Sequence, residues 1–314
     1  MKCLLLGGTG QLGGFLQTSL LPVTTALAAP SSSQLDLRDL DAVRAAVRAL
    51  RPQVLVNAAA CTAVDRAETE PALAMRLNAE LPGLLAEEMK RLGGALLHYS
   101  TEQVFDGSGQ RPWRESDVPA PLNAYGRSKL AGEEAVLSVG GRVAIWRTSW
   151  LYGGLRSNFV GRILQQAISQ DALQVVSDQV GAPTEAGWLA TLSADWVSGL
   201  ARGTAHQGLL HVTACGEVSW FDHACRILEE ARHQGVALRA GPDQVMPVST
   251  AALALPAQRP LNCRLDGAQA RRMLMCRQPA WDAGLPEAVS RLAMTMQLPV
   301  RQAPMSSRTP PATR

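Results

Sequence analysis

Lysine and tyrosine are scarce in this sequence of 314 residues, with three of each, although lysine and arginine together number 30. Its cations are therefore almost all arginine. No Lys/Arg-rich block gathers them, the net charge is only +3, and nucleic acid is not an implied partner. No apolar run reaches the roughly 18–20 residues of a membrane span, so no membrane association is expected. The six cysteines (Cys3, Cys61, Cys215, Cys225, Cys263, Cys276) show no CxxC spacing and have no accompanying histidine cluster. With 46% hydrophobic residues the chain can fill a core without disulfides, so the cysteines read as reduced thiols of a cytoplasmic protein and no metal site is expected. Lys2, a short apolar run and Ala26-Leu27-Ala28 imitate a signal peptide, but the glycines from Gly7 to Gly14 interrupt the apolar stretch such a signal requires.

What is present alternates. Short apolar runs at Cys3–Leu6, Pro22–Ala28, Val54–Val56, Ala95–Ser100 and Val143–Arg147 read as strands. Between them, Leu12–Leu21, Asp39–Leu50, a long stretch Pro71–Leu92 and Asn123–Leu137 have helical spacing. Strands separated by helices imply βαβ units and a parallel sheet. The expected fold is α/β: a Rossmann-type doubly wound parallel sheet with a smaller, mainly C-terminal α/β substrate domain. Residues 1–150 are assigned to the first, with the chain crossing back later, and 151–300 mainly to the second, partly interleaved with it. In the second part, helices are expected at 158–169, 185–201, 220–234, 267–275 and 285–296, with strands near 173–176 and 208–213. Residues 301–314, rich in Pro, Ser, Thr and Arg, read as a disordered tail.

Gly7, Gly10 and Gly13 follow the first strand and open the first helix. Such a loop allows a tight turn, close backbone approach to a pyrophosphate and close helix–sheet packing, with free N–H groups at the helix N-terminus. An acid after the second strand would hold a ribose 2′-hydroxyl. None occurs between Leu21 and Leu35; a serine triplet and Arg38 stand there instead. The expectation is therefore NADPH, with NADH as the alternative. Tyr125 and Lys129 are four apart on an expected helix and so share a face. A phenol of pKa near 10 is a poor proton shuttle at neutral pH, and an ammonium one turn away favours its ionised form. The third partner is a hydroxyl where the strand Ala95–Ser100 ends. Thr101 is preferred as donor to a substrate carbonyl, with Ser100, which can point back into the structure, as the alternative.

These residues and their neighbours resemble the dTDP-4-dehydrorhamnose reductase family of extended short-chain dehydrogenases/reductases. The matching strings run from Gly7 to Gly13, Val56 to Asp65, Ser100 to Gly107, Tyr125 to Glu133, Arg147 to Gly153, Asp178 to Thr184 and Arg259 to Leu265. The resemblance implies reduction of the 4-keto group of a dTDP-sugar, dTDP-4-dehydro-L-rhamnose, by NADPH. It implies Tyr125, Lys129 and Thr101 as catalytic residues. Gly7, Gly10, Gln11, Leu12, Gly13, Asp36, Leu37, Ala58, Ala59, Ala60, Thr62 and Tyr99 would hold the cofactor together with Tyr125 and Lys129. Thr101, Glu102, Tyr125 and Trp150 would meet the sugar; Trp150 has a plain alternative as a core aromatic. Asp178 and Gln179 read as loop organisers rather than substrate contacts, and Cys61 as packing.

Some positions depart from the family pattern. Ser-Thr-Glu-Gln replaces the usual Ser-Thr-Asp-Tyr, which lengthens the carboxylate at Glu102 and removes a ring at Gln103. Some members dimerise through a metal held by glutamates; the matching positions here are Phe15 and Gly187, so a monomer or weak homodimer without that metal is expected. Two competing functions stay open: another sugar-nucleotide epimerase or dehydratase of the superfamily, or a non-catalytic NADP-binding subunit like the methionine adenosyltransferase beta subunit.

Overall fold

A computed structural model describes residues 1–154 and 158–298. Six strands form one parallel sheet: β1 (Lys2–Leu6), β2 (Ala26–Ala28), β3 (Val54–Asn57), β4 (Ala95–Thr101), β5 (Arg142–Thr148) and β6 (Gly208–His211). Their spatial order is β6-β5-β4-β3-β1-β2, and every neighbouring pair is parallel. The helices of ten residues or more among the described residues are α1 (Gln11–Leu20), α2 (Leu40–Leu50), α3 (Leu81–Leu92), α4 (Ala124–Val139), α5 (Phe159–Ser169), α6 (Ala186–Arg202), α7 (Trp220–His233) and α8 (Leu285–Thr295).

The central strands are apolar throughout because both faces of the sheet are covered. Cys3, Leu5, Val54, Val56, Leu97 and Trp146 pack against α1 and α6 on one face. On the other, Leu4, Leu6, Leu55, Leu96 and Ile145 meet α2, α3 and the end of α4. This is the doubly wound Rossmann-type arrangement expected from the alternating pattern. A further core gathers α5, α7 and α8 around the parallel pair Leu173–Val176 and Val245–Val248. The strand expected at 208–213 joins the main sheet beside β5, so the chain returns to its first half after α6. The tail reading of 301–314 lies outside the described residues.

Two expectations need correction. The stretch 22–28 is not one strand: Leu21–Val23 is a 3₁₀ turn with Pro22 in it, and only Ala26–Ala28 pairs with β1. Nor is Pro71–Leu92 one continuous α-helix. It passes through a π turn at Arg76–Glu80 before α3 begins. Pro82 has no N–H to give to the carbonyl four residues back, that of Asn78. The Asn78 carbonyl faces α4, where Gly132 makes room for it: a Cβ on Gly132 would stand 2.0 Å from that oxygen. The irregularity thus sets how closely α4, the helix of Tyr125 and Lys129, approaches this layer.

Candidate active site

Strand order reverses direction at β1 and β3, the place where open α/β sheets leave a crevice at their C-terminal ends. Gly7 follows β1 with φ +78°, and a Cβ there would collide with the backbone of Ala58 and Ala59 at 2.5–2.7 Å. Gly13 is equally constrained, since its Cβ would sit 2.0 Å from the Gly7 carbonyl oxygen. Gly10 caps α1 without a side-chain bond, and among the described residues the first N–H groups of that helix stay open beside half-buried Ala58, Ala59 and Ala60. Open helix N–H groups against a glycine cradle suit the pyrophosphate of a dinucleotide.

Leu12 can contribute only backbone to such a ligand, and one N–H of the Gln11 amide is already engaged. The Gln11 amide donates to the Leu151 carbonyl at 2.6 Å, and Leu12 is buried under the sheet. At the far end of the crevice, exposed Asp36 is held by Arg38 through a bidentate pair at 2.7–3.0 Å, which lowers its carboxyl to about 2. Leu37 is half-buried next to it and Thr62 is exposed on the loop after β3.

The reactive groups collect where β4 ends against α4. Asn123 caps α4 by accepting from the Gly126 N–H at 2.8 Å, and its own amide donates to Gln103 at 3.0 Å. This fixes the first turn, which carries Tyr125. Lys129 is 2% exposed, and its ammonium donates to the Tyr99 carbonyl at 2.6 Å. Burial lowers it to about 8, opposed by the charge of Glu133. Burial and the Glu102 charge push the Tyr125 phenol above its ordinary range, and the Thr101 hydroxyl pulls it partly back. The sequence reading had Lys129 lowering Tyr125. In the folded chain desolvation dominates both, raising the phenol and depressing the amine.

Thr101 donates to Glu102 at 2.8 Å and accepts from the Gln103 N–H at 3.2 Å. Glu102 is 4% exposed, and burial raises its carboxyl to about 7, with the Thr101 bond opposing. The Ser100 hydroxyl is buried and, among the described residues, has no partner. Tyr99 is buried against Trp146, with its hydroxyl 2.6 Å from that of Ser193.

Trp150 follows β5 in a left-handed conformation, φ +47°. Its ring is half-buried and stacks on Trp220 with centroids 3.6 Å apart. Trp220 donates to Gln179, whose amide donates to Thr250; Asp178 accepts from the backbone and hydroxyl of that same threonine. Asp178 and Gln179 therefore organise loops. Through them the α7 aromatic is set behind Trp150.

The RmlD substrate binding domain family matches residues 1–294 of the chain. The dTDP-4-dehydrorhamnose reductase of Salmonella typhimurium (strain LT2) is 40% identical over 298 residues, covering 94% of this chain and 99% of that protein. The chain belongs to the dTDP-4-dehydrorhamnose reductase family. Among solved structures, the family member from Clostridium acetobutylicum superposes with a TM-score of 0.85 at 32% identity, over 94% of this chain and 100% of that one. The member from Bacillus anthracis, solved in complex with NADP, gives 0.83 at 31% identity, over 94% and 99%.

Within this dTDP-4-dehydrorhamnose reductase framework the structure adds residues that motif reading passed over. Asn78, in the π turn, accepts from the Cys61 N–H and donates to the Cys61 carbonyl and to Ser128 on α4, at 2.8–3.0 Å. It ties the Ala58–Thr62 loop to the Tyr125 helix, and the Leu81-Pro82 pair inside a helical run was its sequence signal. Glu133, one turn beyond Lys129, forms a buried bidentate pair with Arg147 of β5 at 2.5–2.9 Å. Phe15 lies 4.9 Å under the Arg291 guanidinium, and the Gly187 N–H donates to Glu185. Among the described residues no helix is long and apolar enough to cross a membrane.

Proposed function

We propose that this chain reduces the 4-keto group of dTDP-4-dehydro-L-rhamnose to give dTDP-L-rhamnose. The observation that carries the reading is the meeting of Tyr125 with the Thr101–Glu102 pair, with Lys129 one turn along the same helix, in a sheet whose first strand ends in a glycine cradle that a Cβ would fill. The NADP complex of the Bacillus anthracis relative supports NADPH as the cofactor. When bound, NADPH supplies the hydride that reduces the ketone carbon.

The chain's own residues provide the rest. Tyr125 keeps its proton at neutral pH and gives it to the carbonyl oxygen as charge develops there. Lys129, on the same helix face, offsets the charge left on the phenol oxygen. Charge stabilisation that appears mainly in the transition state is what accelerates the step. Thr101 has one hydroxyl proton, and in the resting site it is donated in a hydrogen bond to Glu102. Donation to the substrate carbonyl requires that bond to turn, which a protonated Glu102 permits by donating in the opposite sense.

The Trp150–Trp220 stack offers an aromatic face to the apolar side of a deoxysugar. The glycine cradle, Ala58–Ala60, Thr62, Asp36, Leu37 and Tyr99 form the cofactor side. The α5, α7 and α8 core is assigned to the sugar-nucleotide half, and six free thiols support a reducing compartment, the cytoplasm. A coupled assay with dTDP-4-dehydro-L-rhamnose tests the reading. One NADPH should be consumed per sugar, followed at 340 nm, with NADH a poorer donor. An epimerised ketosugar without net NADPH oxidation would overturn it.

A further inference from the structure

Lys129 meets a second nitrogen that the reading above leaves without a role. His98 on β4 is fully buried, with Nε2 3.3 Å from Lys129 Nζ and Nδ1 3.1 Å from the Asn57 side-chain amide. The orientation of Asn57 is set from its other side, because its Oδ1 accepts from the Ala59 N–H at 3.2 Å. Asn57 must therefore present its NH₂ to His98. An amide NH₂ only donates, so Nδ1 accepts and the proton of the neutral imidazole lies on Nε2. That N–H points at Lys129. It can donate to an amine, but it opposes an ammonium.

We propose that His98 is a positioning residue for the reduction: locked by Asn57 as its Nε2–H tautomer, it donates to the neutral form of Lys129 and disfavours the charged one. The pair makes the lysine's charge adjustable near neutrality, where a group that must compensate a transient phenolate acts most sensitively. Desolvation of Lys129 works in the same direction, and burial together with the lysine charge keeps His98 itself neutral. Among the described residues the other ionisable groups around this spot are Tyr125 and Glu133 from α4, the latter paired with Arg147 of β5, with Glu102 and Cys61 beyond the phenol. The inference deepens the proposed reductase mechanism, but its structural content stands without any substrate.

Scarcity of lysine makes the test direct, since protein labelled with ¹³C-lysine gives signals from Lys2, Lys90 and Lys129 only. In the free protein one of them should titrate at or below about 8. In His98→Phe that midpoint should rise by about one pH unit, and the alkaline limb of kcat should move with it. A fall would mean that His98 accepts from an ammonium, and an unchanged midpoint would mean no coupling; either overturns the proposal. If His98→Phe does not fold, long-range ¹H–¹⁵N spectra of the wild-type imidazoles decide. The Nε2–H form is expected for His98, and the Nδ1–H form refutes it. Asn57→Asp, which accepts from Nδ1–H, should switch the tautomer and raise Lys129. The NMR arms need no turnover, so failure of the reductase reading would leave them interpretable.

Discussion

Replacing Glu102 by glutamine should stabilise the protein, and more so as pH rises. Burial lifts this carboxyl from 4.5 to about 7, so the fold disfavours its ionised form. The folded chain then binds more protons than the unfolded chain between those two values. Wild-type stability from this group is fully present below the unfolded pKa and is lost as pH rises through the folded one. The shift of about 2.5 units corresponds to about 3 kcal/mol. Glutamine has nearly the same shape, still accepts from Thr101 through its oxygen, and carries no charge to desolvate. Near pH 4 the two proteins should have similar stability. At pH 8.5 the variant should be more stable by about 2–3 kcal/mol, or roughly 5 °C in Tm for a chain of this size. Lys129 titrates in both proteins, so its contribution largely cancels in the difference. Urea unfolding at the two pH values is the assay. Curves separated by the same amount at both would refute the idea that Glu102 is a strained, desolvated acid.

Three further outcomes follow from the same geometry. Tyr125→Phe should lower kcat about 10²–10⁴-fold, the range for a positioned general acid, with NADPH affinity by fluorescence titration little changed. Arg147→Met strands the buried Glu133 carboxylate and should cost about 3–5 kcal/mol in urea unfolding, much of it recovered by adding Glu133→Gln. Trp220→Leu removes the ring behind Trp150 and, at about 0.5–1.5 kcal/mol for such a stack, should raise the sugar KM roughly 2- to 10-fold with kcat nearly unchanged; an unaltered KM would remove Trp150 from the sugar site.

The parts of this site that were legible in the sequence are those fixed by local spacing. The β1 and β3 strands are short apolar runs because both their faces are buried, and Gly7 and Gly13 are glycines because neighbouring backbone occupies the space of a Cβ. The Tyr125–Lys129 offset is one helical turn and needs no tertiary knowledge. What stayed hidden depends on contacts between distant segments. His98 lies in an apolar strand, and only its approach to Asn57 and Lys129 gives it meaning. The Trp150–Trp220 stack joins residues 70 positions apart. Helical periodicity ran smoothly through Pro71–Leu92, whereas Pro82 redirects the chain by withholding a single N–H. Spacing reports which groups are near one another, as with Tyr125 and Lys129, and burial decides which of their charges the site tolerates.

The central claim is hydride transfer to the sugar's C4 with Tyr125 as proton donor. Its most direct test is turnover of dTDP-4-dehydro-L-rhamnose with NADPH carrying deuterium at both hydrogens of nicotinamide C4, with the product read by NMR and mass spectrometry. The expected product is dTDP-L-rhamnose carrying one deuterium at C4, formed by the wild type and nearly abolished in Tyr125→Phe. Product without C4 deuterium, or labelled product formed as fast by Tyr125→Phe, would contradict it.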